Sequence, residues 1–546
     1  MDPGRPGTGA SVWSVPDDGS LIPMKWITAA GVVMLCWLGI SGSAFGAGLV
    51  RVTPDGYLGS DPSFLTSPPD DSRVFIAERG DSGSHQAQVR IIKDGVPVNQ
   101  PFLTIGNVDL VSERGLLSIA FAPDYATSGL FYAFYVAHAA DGFGGSTGDI
   151  RIVEYHVSSG DPDKADPASA RLVFSVPHSA GNHNGGWMAF GPDGDLYFSI
   201  GDNANGSNAQ TLTNVYGKIM RIDPADPDGA GAATYTVPSD NPFVGEAGAR
   251  TEIYALGLRN PYRASFTPDG RLVIGDVGNG TWEEVDVGDL KGANLGWPDC
   301  EGFCTTLTPS FAAPIYVYNH DNGVDNQGGG CAIIGGYVVR DESLGGLTGR
   351  YLYGDLCDDA LRTLNLDAAG ADPQQAGLVI PDGVGSLRSF GEDSGGCVYV
   401  LGNSAVYRVA PNGSTATACP VTTEPPGQVT YNSFIPQRRV IAKRLVVGAK
   451  CSIACTASAT TKVRITRNRF RRKPAIFNLK TPVSDLAAGV RGKLTFQVPL
   501  KRVKAMKKAV RNGSRVTARV KVTLTGEDGS GGSGSGSIRL VRPKRR

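Results

Sequence analysis

Phe190-Gly-Pro-Asp-Gly-Asp-Leu-Tyr-Phe198 contains a template that recurs along the chain. A first strand ends at Phe, a Pro/Asp/Gly turn reverses the chain, and a second strand of alternating apolar residues follows. The template recurs at Phe266-Thr-Pro-Asp-Gly-Arg-Leu-Val-Ile274 and at Phe390-Gly-Glu-Asp-Ser-Gly-Gly-Cys-Val-Tyr-Val400, with degenerate copies at Thr53-Pro-Asp-Gly56 and Phe121-Ala-Pro-Asp-Tyr125. Recurrence of an all-β unit every roughly 40–75 residues is typical of a β-propeller. A pair of β-sandwiches is the alternative, but it need not repeat one turn motif.

A Ser/Thr/Pro-rich stretch divides the chain into two predicted domains. Residues 47–411 carry the repeated turns and are predicted to form the propeller, and residues 412–428 have the composition of a linker. In residues 429–546, alternating runs predict strands with one basic face, and Leu500 to Val510 is predicted to be a short basic helix. The segment from Gly529 to Ser537 is predicted to be a flexible loop. We therefore expect an all-β chain in which a small basic β-sandwich-like domain follows the propeller.

The formal net charge of zero conceals a split between the two parts of the chain. From Cys419 onward there are 29 Lys and Arg but 4 Asp and Glu, whereas the residues before Cys419 contain 23 and 48, respectively. Such asymmetry indicates separate modules with different partners. Because the tail has few aromatic residues to stack on bases, we expect it to bind an anionic polymer of the cell envelope and no specific nucleic acid. A solvated basic surface without a partner is the alternative.

Residues 1–46 have the composition of a leader whose expected true start is Met24. An apolar run from Trp26 to Ile40 is followed by small residues before the predicted cleavage point, from Ala44 to Gly46. A short basic start and an apolar segment too short to span a bilayer comfortably are typical of a secretory signal peptide. An uncleaved anchor is the alternative. We expect the protein to be secreted or associated with the cell envelope.

The cysteines favour disulfides in an oxidising compartment. Removal of Cys36 with the leader leaves eight cysteines, an even number. Cys300 and Cys304 share one short loop, and Cys451 and Cys455 share another. Four cysteines remain that can pair in three ways: Cys331, Cys357, Cys397 and Cys419. Neither close pair has a nearby histidine, so the spacing argues against a zinc site.

His183 lies in a glycine- and asparagine-rich turn that leads into a predicted hairpin. Imidazole has the unperturbed pKa nearest neutrality, so a histidine on a loop of a rigid β scaffold is suited to take a proton from a substrate hydroxyl. Arg259 and Asn260 follow a predicted strand, and Pro261 keeps Asn260 out of helical conformation. An arginine here either clamps an anionic group or ties two blades together.

The loop from Gly275 to Glu284 is rich in glycine and carboxylates. Hard oxygen donors at this density suit calcium, although the spacing is not that of an EF-hand, and a solvated acidic turn is the alternative. The following segment, from Asn294 to Gly302, adds Trp297 and a pair of cysteines that we expect to brace the mouth of a site. Further candidates on the loops are Tyr316, Tyr318, His320, Arg340 and Arg388.

Six segments carry a combined signature. They are Glu113-Arg-Gly-Leu-Leu-Ser-Ile-Ala-Phe-Ala-Pro-Asp-Tyr125, His183-Asn-Gly-Gly186, Tyr216-Gly-Lys-Ile-Met-Arg-Ile-Asp-Pro224, Glu252-Ile-Tyr-Ala-Leu-Gly-Leu-Arg-Asn-Pro-Tyr-Arg263, Gly275-Asp-Val-Gly-Asn279 and Asn294-Leu-Gly-Trp-Pro-Asp-Cys-Glu-Gly302. In this set and order they resemble the soluble quinoprotein glucose/sorbosone dehydrogenase family over about residues 49–411. The resemblance implies a six-bladed propeller that binds pyrroloquinoline quinone with calcium. It also implies oxidation of the anomeric hydroxyl of an aldose sugar to the lactone, with an external electron acceptor reoxidising the quinone.

The resemblance also implies roles for single residues. His183 matches the family's base, which takes the hydroxyl proton while hydride passes to the quinone carbonyl carbon. Arg259 and Asn260 match the pair that contacts the cofactor, and Arg259 is expected to serve the catalytic step as well. The carbonyls of Gly278 and Asn279 match the calcium-binding turn.

Two further cofactor contacts depart in part from the family's pattern. Arg340 stands where the family often has a cofactor-binding lysine. Arg388 matches one of two expected arginines, and Ser386 replaces the other.

Two other functions fit a propeller of this kind. One is a non-catalytic binding module, against which stand the retained His183, Arg259 and Asn260. The other is a calcium-dependent lactonase, which would need carboxylates converging on a central metal where this chain has carbonyl-rich loops. A nicotinamide enzyme is not indicated, because no Gly-x-Gly-x-x-Gly motif follows a strand and opens a helix.

Overall fold

The computed structural model describes residues 45–419 and 431–541 with internal gaps. The gaps are residues 140, 230, 305–310, 321–329, 382–384, 435–437, 441–443, 452–454, 467–474, 482, 487–491, 512–514 and 527–530. The predicted signal peptide and most of the predicted linker lie outside the described residues. Among the described residues, no helix is both long and apolar enough to cross a membrane.

The first part of the chain consists of short strands joined by turns. In chain order they are β1 (Ala47–Arg51), β2 (Pro62–Thr66), β3 (Val74–Asp81), β4 (Gln86–Lys93), β5 (Val96–Pro97), β6 (Leu103–Ile105), β7 (Leu116–Phe121), β8 (Leu130–Val136), β9 (Ile150–Val157), β10 (Ala165–Val176), β11 (Met188–Phe190), β12 (Leu196–Ile200), β13 (Lys218–Ile222) and β14 (Ile253–Leu256). They continue with β15 (Pro261–Phe266), β16 (Leu272–Asp276), β17 (Trp282–Gly288), β18 (Tyr316–Asn319), β19 (Ile333–Val338), β20 (Tyr351–Asp355), β21 (Asp358–Leu364), β22 (Gln374–Val379), β23 (Leu387–Glu392), β24 (Val398–Gly402) and β25 (Val406–Pro411). Short helices lie between them: α1 (Tyr125–Ser128), α2 (Ser207–Gln210) and two 3-10 helices (Glu342–Leu347 and Ala369–Ala371).

These strands form antiparallel meanders. Strands β7–β10, β11–β14, β15–β18 and β19–β22 each make a four-stranded sheet in which chain neighbours pair. The remaining strands form one sheet in the order β1-β25-β24-β23-β2-β3-β4-β5, with β6 paired to β4. Within it, a short parallel contact between β2 and β23 joins two meanders. This succession of similar antiparallel sheets is that of a β-propeller, as the repeated turns predict.

The three Asp-Gly turns have one geometry. The amide of the first turn residue donates to a carbonyl four residues on, in the pairs Gly191–Asp195, Thr267–Arg271 and Asp393–Cys397. In each turn a glycine has positive φ, between 82° and 92°, at Gly194, Gly270 and Gly396. A residue with a Cβ is disfavoured there, which explains the repeated glycine. The Thr53–Gly56 copy departs from this pattern, because it connects β1 to β2, which do not pair with each other.

Several strands are buried along their whole length, because neighbouring sheets cover both of their faces. This holds for β7, β12 and β13. Two charged residues, Lys218 and Arg221, are buried in β13. Lys218 Nζ donates to the carbonyls of Asn208, Ala209 and Tyr216 at 2.6–2.9 Å. Burial lowers the pKa of Lys218 to about 7. Its three bonds hold α2 and the adjoining loop against the sheet.

Three disulfides are present among the described residues of the first part. They join Cys300 to Cys304, Cys331 to Cys357 and Cys397 to Cys419. Of the three possible pairings of Cys331, Cys357, Cys397 and Cys419, the structure has Cys331–Cys357 with Cys397–Cys419. Cys455 is also disulfide-bonded, whereas the side chain of Cys451 lies outside the described residues.

The strands after residue 430 form two further sheets. They are β26 (Tyr431–Phe434), β27 (Arg438–Val440), β28 (Arg444–Cys451), β29 (Cys455–Thr466), β30 (Ala475–Lys480), β31 (Ser484–Leu486), β32 (Gly492–Gln497), β33 (Arg515–Gly526) and β34 (Gly531–Val541). One sheet has the order β26-β28-β32, and the other has the order β27-β34-β33-β29-β30 with β31 on β29. Buried residues of both sheets and of α3 (Leu500–Arg511) form one apolar cluster. The domain limits 47–411, 412–428 and 429–546 stay predictions.

The Gly/Ser-rich segment differs from the expected flexible loop. Its residues from Gly531 onward belong to β34, which pairs with β33 from Thr525↔Gly531 to Thr517↔Arg539. Composition alone indicates flexibility. The backbone groups of this segment nevertheless pair with those of β33, and glycine and serine side chains are too small to obstruct that pairing.

Candidate active site

Several loops meet at one end of the propeller sheets. The segment before β11 carries His183, and the segment after β12 carries Asp202, so antiparallel pairing of these strands brings both to the same end. The segment before β15 carries Arg259 and Asn260. It joins the first pair because Asn260 Oδ1 accepts a hydrogen bond from the Gly185 amide at 3.1 Å. The structure therefore brings together three of the predicted site residues.

His183 forms a buried pair with Asp202. The His183 Nδ1 atom lies 2.6 Å from Asp202 Oδ1, and the second carboxylate oxygen accepts a hydrogen bond from Trp297 Nε1 at 2.9 Å. His183 is 9% exposed and Asp202 is 1% exposed. Because a carboxylate accepts the proton at Nδ1, the other ring nitrogen, Nε2, carries the lone pair that a base needs.

The backbone around His183 is fixed on both sides. Its amide donates to Glu113 Oε2 at 2.9 Å, and its carbonyl oxygen lies 3.0 Å from His178 Nε2. His183 has a φ of 56°, which is uncommon for a residue with a Cβ. A Cβ at Gly201 would lie 2.1 Å from the His183 carbonyl oxygen, so glycine is needed for this approach. The neighbouring chain thus holds His183 in one orientation.

Asp276 anchors the backbone of the Arg259-Asn260 pair. Its two carboxylate oxygens accept the amides of Arg259 and Asn260 at 2.9 and 2.8 Å. The Arg259 guanidinium donates to the Val277 carbonyl at 3.0 Å and lies 5.7 Å from the centre of the Trp297 ring. Its buried Nε has no hydrogen-bond partner among the described residues. Arg259 is therefore a cation with spare donors beside the His183-Asp202 pair.

The turn that contains Gly278 and Asn279 lies between β16 and β17, at the same end of the sheet as Asn260. A Cβ at Gly278 would lie 1.6 Å from the Trp282 carbonyl oxygen, so only glycine fits. Glu301, in the loop closed by the Cys300–Cys304 disulfide, accepts hydrogen bonds from the amides of this turn. The disulfide-closed loop therefore contacts the Gly278-Asn279 turn through Glu301.

Arg388 and Arg340 lie at opposite ends of their strands. Arg388 is near the start of β23, where it contacts Asn403 and, at 3.5 Å, Asp61. Arg340 follows the end of β19 and pairs with Glu392 at 2.6 Å, beside the Asp-Gly turn that contains Gly396. That turn is at the other end of the sheets from His183. The structure therefore does not bring Arg340 together with the other predicted cofactor contacts, because β19 carries the chain away from them before Arg340 is reached.

Two further candidates from the sequence have partners of their own. Tyr318 donates to Asp355 at 2.6 Å, and His320 Nε2 lies 2.6 Å from Glu283. The hydrogen bond to Glu283 raises the pKa of His320 above its ordinary value. Both residues brace neighbouring strands in this structure.

Sequence reasoning missed Asp202, Glu113 and the carboxylate role of Glu301. Asp202 ends the Gly-Asp pair that follows β12, and a polar residue at the end of a buried strand is the signal that could have found it. Glu113 and Glu301 act through backbone amides that are far away in sequence. No spacing rule predicts such contacts.

Three carboxylates are buried on one face of β16 and β17. Asp276 and Glu284 are opposite each other in the pairing, and Asp286 follows two residues later on the same face. Burial raises the pKa of Asp276 to about 7, and burial together with Asp286 raises the pKa of Glu284 to about 9. Burial also raises the pKa of Asp286 well above its usual range. Neither oxygen of Asp286 has a hydrogen-bond partner among the described residues.

Asp286→Asn should stabilise the metal-free protein at pH 8 and change it little at pH 5. The raised native pKa of Asp286 means that the native state holds a proton that the unfolded chain releases, so stability falls as pH rises above the ordinary carboxyl pKa of about 4. The side-chain amide introduced by Asp286→Asn does not titrate, so it removes the contribution of this position to the pH dependence of stability. We expect a gain on the order of 3 °C in the melting temperature at pH 8, measured in EDTA. A loss at both pH values would contradict it.

Comparisons with known proteins identify the family and several relatives. The profile described as Glucose / Sorbosone dehydrogenase matches residues 60–409. The HIPL1 protein of Arabidopsis thaliana is 30% identical over 432 residues, which are 64% of this chain and 60% of that protein. Aldose sugar dehydrogenase YliI of Escherichia coli is 31% identical over 240 residues, 43% of this chain and 58% of that protein. The chain thus spans about three fifths of the length of these relatives.

A further relative and a solved structure are also similar to this chain. The Hedgehog-interacting protein of Mus musculus is 26% identical over 367 residues, 62% of this chain and 48% of that protein. The PQQ-bound aldose sugar dehydrogenase of Streptomyces coelicolor, 22% identical, superposes with a TM-score of 0.51 over 67% of this chain and 99% of that one, which shows a shared fold. The profile covers most of the described propeller strands and both segments of the His183-Asp202 pair. The chain belongs to the glucose/sorbosone dehydrogenase family.

Proposed function

We propose that residues 47–411 form a six-bladed quinoprotein that oxidises the anomeric hydroxyl of an aldose sugar to the lactone. The cofactors are pyrroloquinoline quinone and calcium, and an external acceptor removes the electrons. Six blades result when the nine-stranded sheet is counted as two, one from β2–β6 and one from β23–β25 closed by β1. Support for the chemistry comes from the aldose sugar dehydrogenase among the relatives and from the PQQ-bound neighbour.

The His183-Asp202 pair carries the proposal. Nε2 of His183 takes the proton of the sugar hydroxyl, and Asp202 stabilises the imidazolium that forms. The Trp297 indole keeps Asp202 in place through its second oxygen. An oriented, buried imidazole whose Nε2 has no hydrogen-bond partner among the described residues is the arrangement that a general base requires.

The residues present fit the proposed cofactors. The buried Nε of Arg259 has no hydrogen-bond partner in the described part of the chain, which suits a carboxylate of an anionic quinone. Arg388 offers a second cation at the same end of the sheets. The carbonyls of Gly278 and Asn279 would hold calcium. When bound, the quinone supplies the carbonyl carbon that accepts the hydride. The proposal does not use Arg340, which lies at the other end of the sheets.

Reconstitution tests the proposal. Purified apoprotein is mixed with calcium chloride and pyrroloquinoline quinone, and the absorption spectrum is recorded before and after addition of a panel of aldoses. We expect at least one aldose to reduce the bound quinone, which changes its absorption. Quinone that binds and stays oxidised with every sugar would contradict the enzyme and favour a binding module. That second function is favoured by the likeness to the Hedgehog-interacting protein, whose name describes binding.

We propose that the protein is secreted or associated with the cell envelope, and that the C-terminal part binds an anionic envelope polymer. The observation in support is the exposed face of β29, β30 and β33, whose opposite face is buried. Lys462 is directly opposite Arg519, and Thr460 lies between Lys480 and Lys521 in the register. With Arg464, these cations are spaced about 5–7 Å apart, and the exposed residues described on β29, β30 and β33 include no Asp or Glu. Such a surface suits a polymer with repeated negative charges.

Deletion of the residues after Gln428 should leave sugar oxidation intact and abolish salt-sensitive retention on cell envelopes. Exposed charges act through solvent, so their attraction to a polyanion weakens as salt rises. Co-sedimentation with isolated envelopes across a salt series is the measurement. Neutralising Lys462, Lys480, Arg519 and Lys521 in the full chain should have the same effect, whereas neutralising Lys504, Lys507 and Lys508 of α3 is the control for bulk charge. Equal retention of intact and truncated protein would contradict the proposal.

A further inference from the structure

Glu301 gathers four consecutive backbone amides on one carboxylate oxygen. Its Oε1 accepts from Asn279 at 2.8 Å, Gly280 at 3.2 Å, Thr281 at 3.3 Å and Trp282 at 3.2 Å. These amides belong to the turn between β16 and β17. A single carboxylate from a distant loop therefore determines the direction of four consecutive peptide N–H groups, from Asn279 to Trp282.

The direction of these amides also determines the direction of two carbonyls. The one cis peptide bond in the described part of the chain is Trp297–Pro298, so the peptides of the turn are trans. In a trans peptide the N–H and the C=O of the same plane point in opposite directions. Because the amides of Asn279 and Gly280 point toward Glu301, the carbonyls of Gly278 and Asn279 point away from it. Both carbonyls are thus turned to one side of the loop.

Further contacts hold both Gly278 and Glu301 in position. Gly278 is packed against the Trp282 carbonyl, and its amide lies 3.3 Å from Glu283 Oε2. Glu301 is held in turn by its own loop: the Cys300–Cys304 disulfide spans it, and the next amide, that of Gly302, donates to Glu284. The disulfide loop and the turn therefore form one hydrogen-bonded unit.

We propose that Glu301 is a positioning residue for the cation at the Gly278-Asn279 turn, and that the Cys300–Cys304 disulfide keeps Glu301 in place. This inference rests on the proposed function, because the cation is the calcium of the quinone site. Glu301 acts through the backbone: its oxygen orders the amides, and the ordered amides present the carbonyls as ligands. Loss of a group that orients metal ligands typically lowers metal affinity by about 10- to 100-fold.

Calcium titration without quinone or sugar tests this inference. Full-length apoprotein is titrated with calcium chloride by calorimetry, and hydrogen–deuterium exchange of residues 279–282 is measured in parallel. We expect Glu301→Ala to weaken calcium binding about 10- to 100-fold and to speed exchange in the turn. Glu301→Gln, which keeps an acceptor oxygen, should recover part of both. Cys300→Ser/Cys304→Ser should also weaken binding, whereas Asp299→Ala, which removes a neighbouring exposed carboxylate, should bind as wild type does.

The outcomes separate this inference from the proposed function. Wild-type protein that binds calcium no better than Glu301→Ala, with unchanged exchange in residues 279–282, overturns the positioning role. If Glu301→Ala speeds exchange in the turn but the wild-type protein binds no calcium, the calcium site of the proposed function is overturned instead. Wild-type binding with loss in Glu301→Ala and recovery in Glu301→Gln supports the positioning role.

Discussion

Replacement of His183 by alanine should leave quinone binding intact and lower the rate of sugar-dependent quinone reduction by about 10²- to 10⁴-fold. The residues proposed to hold the cofactors are Arg259, Arg388 and the Gly278-Asn279 turn, and the His183 ring is not among them. In the proposed mechanism, the ring offers Nε2 to the substrate hydroxyl, and Asp202 holds Nδ1. Stopped-flow absorption of the reconstituted protein after mixing with an aldose measures the rate.

Two variants make this result specific. Asp202→Asn keeps an acceptor oxygen but removes the charge that stabilises imidazolium, so its rate should lie between those of wild type and His183→Ala. His156→Ala removes an exposed histidine on β9 and should reduce the quinone at the wild-type rate. Quinone reduction at the wild-type rate in His183→Ala would remove His183 from the mechanism.

Removal of calcium should release the quinone from the reconstituted protein. Pyrroloquinoline quinone carries several negative charges, and Arg259 and Arg388 alone leave part of that charge uncompensated at the site. After dialysis against a chelator and gel filtration, we expect the quinone absorption to separate from the protein. Calcium should restore binding, and magnesium should restore it poorly because it demands a tighter octahedral set of ligands than carbonyls of a turn provide. Quinone that stays bound through the chelator step would contradict the requirement for calcium.

The propeller could be predicted because its signal is local. The turns that follow β11, β15 and β23 each need a glycine with positive φ three residues after the first turn residue, so the requirement is present in the sequence at each repeat. The third strand ends at Glu392 and not, as expected, at Phe390. Arg259 and Asn260 could be placed for a similar reason, since they directly precede a strand. Antiparallel pairing of β15 with β16 then places these two residues at the same end of the sheet as the turn after β16.

The parts that could not be predicted depend on contacts between distant segments. Arg340 was expected at the site, but the end of a sheet that a residue occupies depends on where its strand begins, and the start of β19 could not be read from the pattern. Glu301 binds amides about 20 positions earlier, and a backbone amide has no side-chain signature. The cysteine pairings were open for the same reason, because the fold and not the spacing decides which sulfur atoms meet.

The pairing of β1 with β25 has a consequence for the order in which the chain is assembled. Ala47 pairs with Pro411, so the first strand of the propeller waits for its partner until 364 further residues have been made. At synthesis rates of about 5–20 residues per second, the interval is roughly 20–70 s. During that time β1 has no partner in the growing chain, and unpaired strand edges promote misassembly. We therefore expect the yield of correctly folded protein to depend more on how soon β1 pairs with β25 than on the stability of any single sheet.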